Sequence, residues 1–185
     1  MKKIIVLLAL AAIAGQVNAQ DKYFTKSGKV NFDATEKNSP ENIDAVNKSV
    51  TCVLDTKTGN FQFAVLMKGF EFDRALMMEH FNENYMESDK YPKAEFRGLV
   101  VNNNPGNYSK NGVYDVVVKG KMTMHGETRD IETKGKITVQ NGSLLAVADF
   151  PVALADYKIA IPTLVADKVA KVATVKVDCT MTPLK

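Results

Sequence analysis

His80 and His125 are the only histidines of this 185-residue chain, and Cys52 and Cys179 its only cysteines, so chemistry would be sought there first. A helical zinc site needs two histidines one turn apart, and His80 has only Glu79, Glu83 and Asn84 around it. It reads either as a residue at a ligand or mouth, or as an ordinary helix-surface side chain. His125 precedes Gly126 and suits a turn. Neither cysteine lies in an active-site context, and a thiolate on an apolar face would be opposed by desolvation. The chain contains no Gly-x-Ser-x-Gly elbow and no glycine-rich phosphate loop. Glu79, Glu83 and Glu87 are like charges at helical spacing, the pattern of a solvated face. The sequence thus predicts no catalytic residue, no metal site and no cofactor. An enzyme acting on a lipid-like substrate, through His80 or Glu83, is the residual alternative.

The constellation left over is apolar. Phe61, Phe63, Val65 and Met67 alternate along one segment, and Tyr114, Val116, Val118 and Met122 along another. Ile131 and Ile137 share the face of a third segment. Met77, Phe81 and Tyr85 recur every four residues between strands. Methionine and phenylalanine offer polarizable contacts without demanding polar partners, which suits a flexible hydrocarbon. Each CH₂ moved out of water is worth about 0.8 kcal/mol, so such a lining would bind by burial alone. The same side chains would equally fill a solid core, and composition does not separate the two.

Those residues need strands to hold them. Period-two alternation between turn signals predicts eight antiparallel strands, at 29–35, 47–55, 60–70, 93–101, 113–124, 127–139, 143–153 and 170–181. Thr58-Gly59, Asn111-Gly112, His125-Gly126 and Asn141-Gly142 place residues tolerant of positive φ between them. Long strands joined by hairpins expose edges unless the sheet closes, so the expectation is an all-β, eight-stranded antiparallel barrel, with a sandwich as runner-up. One amphipathic helix is inserted between the third and fourth strands, predicted over 74–86 with Asp73 as N-cap and Pro92 beyond its end. Leu76 and Met78 widen its apolar stripe. The stretch 156–167 reads as loop or short helical turn, and 102–111 as a polar loop giving almost nothing to a core.

Met1-Lys2-Lys3, the apolar run from Ile4 to Ala14 and Val17-Asn18-Ala19 read as a cleaved signal peptide over 1–19, leaving one domain at 20–185 in the periplasm or outside the cell. Loss of Lys2 and Lys3 would leave 22 basic against 21 acidic side chains, too even a balance for nucleic acid. No transmembrane segment is expected after cleavage. Cys52 aligns with Val50 and Leu54, and Cys179 with Val177 and Met181, so the pair is either a disulfide or two buried thiols.

The segment from Phe70 to Phe96 with Arg97-Gly98, the opening Ser27-Gly28-Lys29-Val30-Asn31-Phe32 and the late Gly120-Lys121-Met122-Thr123-Met124-His125-Gly126-Glu127-Thr128-Arg129 together resemble the YceI-like family of exported barrels. The first strand carries no histidine where that family commonly has one. The resemblance implies a lipocalin-like, polyisoprenoid-binding barrel that sequesters or carries a polyprenyl or quinone-type amphiphile, its tail lying among the apolar residues named above. Two other readings stand beside it. One is a solid-core exported or stress-related module acting through a protein partner; the other is the enzyme. Pairing of two copies is left open.

Overall fold

Alternating apolar and polar side chains organise the chain into strands wherever the alternation is sustained. The structure is a computed structural model that describes residues 21–184; the predicted leader at 1–19 lies outside the described residues. Eight long strands are present among them: β1 (Lys22–Thr35), β2 (Asp44–Asp55), β3 (Asn60–Leu66), β5 (Lys93–Val100), β6 (Gly112–Met124), β7 (Glu127–Gln140), β8 (Ser143–Ala153) and β9 (Val169–Pro183), with a two-residue β4 (Glu71–Phe72). All pair antiparallel in the order β1-β9-β8-β7-β6-β5-β3-β2, and β2 returns to β1. The sheet is therefore a closed barrel, and the sandwich alternative falls away. Closure gives every long strand a paired neighbour on both sides, so none is the edge of an open sheet.

Antiparallel order sorts the connections. Residues 36–43, 67–92, 125–126 and 154–168 gather at one end, here the helix end; 56–59, 101–111 and 141–142 gather at the far end. His125-Gly126 and Asn141-Gly142 are two-residue hairpins with φ of 51° and 77°, and 51° and 76°. Positive φ at both central residues matches the twist of the flanking strands. Asn111-Gly112 departs from expectation. Neither residue has positive φ, Gly112 opens β6, and the reversal is made by a 3₁₀ turn at Pro105–Ser109. That loop is anchored as well. Tyr108 packs against the core and donates to Asn103 Oδ1 at 2.7 Å, while Asn103 donates to the Thr56 carbonyl at 3.0 Å.

The helix is shorter than its pattern suggested. α1 covers Ala75–His80 and continues as a π turn over Phe81–Tyr85. Arg74, not Asp73, is its N-cap, and no side chain caps it. The wider turn accompanies burial of Phe81, whose ring lies 5.9, 5.4 and 5.0 Å from those of Phe32, Phe70 and Phe72. Leu76 (60% exposed) and Met78 (38%) do not extend a buried stripe; Met86, just past the π turn, is buried instead. The predicted strand 60–70 also breaks early, because buried Asn47 of β2 donates to the Leu66 carbonyl at 2.9 Å and the chain turns at Met67–Gly69.

Side chains fill only part of the barrel. Val50, Cys52, Leu54, Leu144, Cys179 and Met181 have no exposed surface, and pairings such as Leu144↔Met181 and Tyr23↔Leu54 put this packed layer toward the far end.

Candidate functional site

Above that layer the barrel is hollow. A cavity of about 420 Å³ runs from the packed layer to the helix end, within the range typical of small-molecule sites. Phe61, Phe63 and Val65 of β3 line it, with Met67 just beyond. Val116, Val118 and Met122 of β6 face them, and Ile131 and Ile137 project from β7. Met77, Phe81 and Tyr85 close over from the helix. Tyr114 is the exception: it lies outside the lining and donates its hydroxyl to the Lys110 carbonyl at 3.1 Å.

Other wall residues were not singled out from the sequence. Phe32 of β1, Phe96 of β5, Phe150 and Val152 of β8, and Val175 and Val177 of β9 all line the cavity, and each obeys the same alternation as the residues that were named. Phe70, Phe72 and Ile159 sit in turns or beside them, where no period identifies an inward face.

Polar groups are confined mainly to the rim. Glu41 accepts from Arg74 Nη1 at 3.2 Å through one oxygen and meets Lys168 Nζ at 3.4 Å through the other. All three line the cavity and tie together three loops of the helix end. Lys168 first, and Arg74 after it, hold the Glu41 carboxyl below its usual range. His80 is exposed and lines the same rim. His125 is a bracing residue: Nδ1 stands 2.8 Å from the Tyr157 carbonyl and Nε2 3.0 Å from Glu87 Oε2. Both partners are acceptors, so a ring protonated on both nitrogens makes both bonds and a neutral ring makes one. Beside it, Lys158 Nζ meets Glu127 Oε1 at 2.6 Å, and Lys158 is the chief cause of a lowered Glu127 carboxyl. Among the described residues, no three His, Cys, Asp or Glu side chains gather as metal ligands would.

Cys52 and Cys179 are free, buried thiols in the packed layer. They sit on β2 and β9, the two neighbours of β1, and reach each other where β1 carries the small Gly28 between register shifts. A Cβ on Gly28 would stand 2.6 Å from Cys179 Sγ and 3.2 Å from the Val50 carbonyl oxygen. Hydrogen-bonding contact with Cys179, then burial, pushes the Cys52 thiol upward.

A closed eight-stranded antiparallel barrel with an apolar cavity beneath one short helix is a lipocalin-like barrel. The sequence matches the YceI-like domain over residues 11–181, and the chain belongs to that family. Among solved structures, a polyisoprenoid-binding domain from Saccharophagus degradans implicated in plant cell wall breakdown aligns with a TM-score of 0.76 at 14% identity, covering 89% of this chain and 99% of that one. Burkholderia cenocepacia BcnA aligns with a TM-score of 0.68 at 15% identity, over 84% and 96% of the two chains. The Campylobacter jejuni YCEI protein aligns at 0.55 and 13% identity, over 76% and 85%. At these identities the likeness is one of fold. No curated protein matches the sequence. No helix among the described residues is long and apolar enough to cross a membrane.

Proposed function

We propose that this protein is an exported carrier or reservoir for a single-tailed isoprenoid amphiphile. The observation that carries the reading is the cavity of about 420 Å³, walled almost entirely by aliphatic, aromatic and methionine side chains. Such walls reward burial of hydrocarbon at about 0.8 kcal/mol per CH₂ and make no directional demand on it. The tail lies among Phe63, Val118, Met122 and Ile131, and the polar head remains at the helix end near Glu41, Arg74 and Lys168. The fold it shares with the Saccharophagus degradans polyisoprenoid-binding domain supports the choice of an isoprenoid over other tails. The predicted leader supports export. Organic extraction of freshly purified protein, analysed by mass spectrometry, should recover a stoichiometric polyprenyl compound. Repeatedly empty protein that also takes up no isoprenoid from vesicles would end the proposal.

A further inference from the structure

The barrel wall is parted on one side. Pairing of β7 with β8 starts at Gln140↔Ser143 and stops at Gly135↔Ala148, yet β7 extends back to Glu127 and β8 forward to Ala153. Over that stretch β7 stays bonded to β6, as far as Met124↔Glu127, and β8 to β9, as far as Ala153↔Val172. The two strands therefore diverge toward the helix end. Five residues of β8, 149–153, border the gap, roughly 17 Å of strand.

Which backbone groups face the gap follows from the hairpin. In a two-residue hairpin the flanking Gln140 and Ser143 exchange both hydrogen bonds, so even positions of β7 and odd positions of β8 point their backbone groups at one another. Asp149, Pro151 and Ala153 thus face the gap from β8, and Thr128, Asp130, Glu132 and Lys134 from β7. Pro151 has no N–H to donate, and it stands where β8 would otherwise pair onward. On β7 the outward charges turn away, with Lys119–Glu132 at 2.8 Å and Lys121–Asp130 at 3.0 Å binding it to β6.

The gap opens into the cavity. Ile131 and Thr133 on one side and Phe150 and Val152 on the other line the hollow, and so do Lys136 and Val147, which alternation places on the outer face. Its upper limit is the clasp already described, Lys158 on Glu127 and Tyr157 on His125. The gap is a bounded window. By contrast, the barrel mouth is spanned by the helix segment and by the Glu41 strap to Arg74 and Lys168.

We propose that the window between β7 and β8 is the portal through which the hydrocarbon tail enters and leaves. The inference rests on the function proposed above and specifies its route. Passage through the window breaks no strand ladder and no ion pair, because neither crosses it between Gly135 and the clasp. Passage through the mouth displaces the strap.

The test is kinetic and uses two staples. Glu132→Cys with Pro151→Cys, opposite one another by extension of the β7–β8 register and both exposed, is bridged by a flexible bis-maleimide across the window. Asn42→Cys with Asp167→Cys, also exposed, is bridged across the mouth beside the Glu41–Lys168 pair. Uptake and release of geranylgeraniol labelled with nitrobenzoxadiazole, delivered from phosphatidylcholine vesicles, are followed by stopped-flow fluorescence. The window staple should slow both rates at least tenfold and leave Kd within threefold; the mouth staple should leave both rates within threefold. Unchanged rates with the window stapled, or slowing by the mouth staple, would overturn the portal. Failure of the unmodified protein to take up the probe would instead remove the function on which it rests. Lys134→Cys with Asp149→Cys, the next pair in the same register and also exposed, bridged in the same way, should reproduce the slowing if the first cysteine pair misfolds.

Discussion

Enlarging Val118 separates a hollow barrel from a packed one. Val118 lies mid-strand on β6, between Val100 of β5 and Thr133 of β7, and all three line the cavity. Val118→Phe adds four carbons whose only available space is the hollow. In a filled core such an insertion costs about 1–3 kcal/mol. For a chain of this size that would lower the unfolding midpoint by roughly 2–12 °C. Because the cavity is vacant around Val118, the expected change is less than about 2 °C, the scale set by a sub-kcal effect. The ring should instead exclude about four tail carbons, a loss of about 3 kcal/mol and roughly 200-fold in affinity. Thermal unfolding and titration with an environment-sensitive alkyl dye read the two quantities on the same sample. A midpoint more than about 5 °C lower with unchanged dye affinity would show that Val118 packs against protein, and the argument from the cavity would fail.

Four further outcomes follow from particular contacts. Leu144→Ala removes a side chain with no exposed surface from the far-end layer and should cost about 2–5 kcal/mol in denaturant unfolding while sparing dye affinity. Gly28→Ala should destabilise by about 1–3 kcal/mol through its clash with Cys179 Sγ and the Val50 carbonyl, and a neutral result would show that β1 gives way there. In the native protein at neutral pH neither Cys52 nor Cys179 should react with a thiol reagent, because both are buried and the Cys52 thiol is held protonated; fast labelling before unfolding would contradict this. Glu41 and Glu127 both have carboxyls lowered from the ordinary 4.5, so their stabilising contributions are complete above that value and are lost as pH falls through the lowered folded-state values. Acidification should therefore release the mouth strap and the Lys158 clasp, seen as lower amide protection in 154–168 once the intrinsic exchange rate at each pH is divided out, and Glu127→Gln should flatten the acid limb of the stability curve.

The strand framework was legible because alternation is a local property. Phe61, Phe63, Val116 and Val118 declare their face without reference to any other strand, and the same rule would have added Phe32, Phe150 and Val175. The turns were legible where both central residues accept positive φ, as at Asn141-Gly142. They were misread at Asn111-Gly112, where a 3₁₀ turn anchored by Tyr108 reverses the chain. Helical spacing located Phe81 but not the π turn, because the turn goes with packing of Phe81 against Phe32, Phe70 and Phe72 on other elements.

By itself, then, the sequence determined the class: an all-β chain with one inward apolar face per strand and a helix before the fourth long strand. Whether inward faces meet or stand apart depends on the distance across the barrel, which strand number and register set and no single strand encodes. That is why Leu144 and Met181 are packed while Val118 and Ile131 border empty space, although all four follow the same alternation. The contact between Cys52 and Cys179 likewise required the bulge at Gly28, and the window required β7 and β8 to diverge beyond Gly135. Pro151 lies within the predicted strand 143–153 without interrupting its alternation, and only the register shows that its missing N–H faces β7 beyond the last pair.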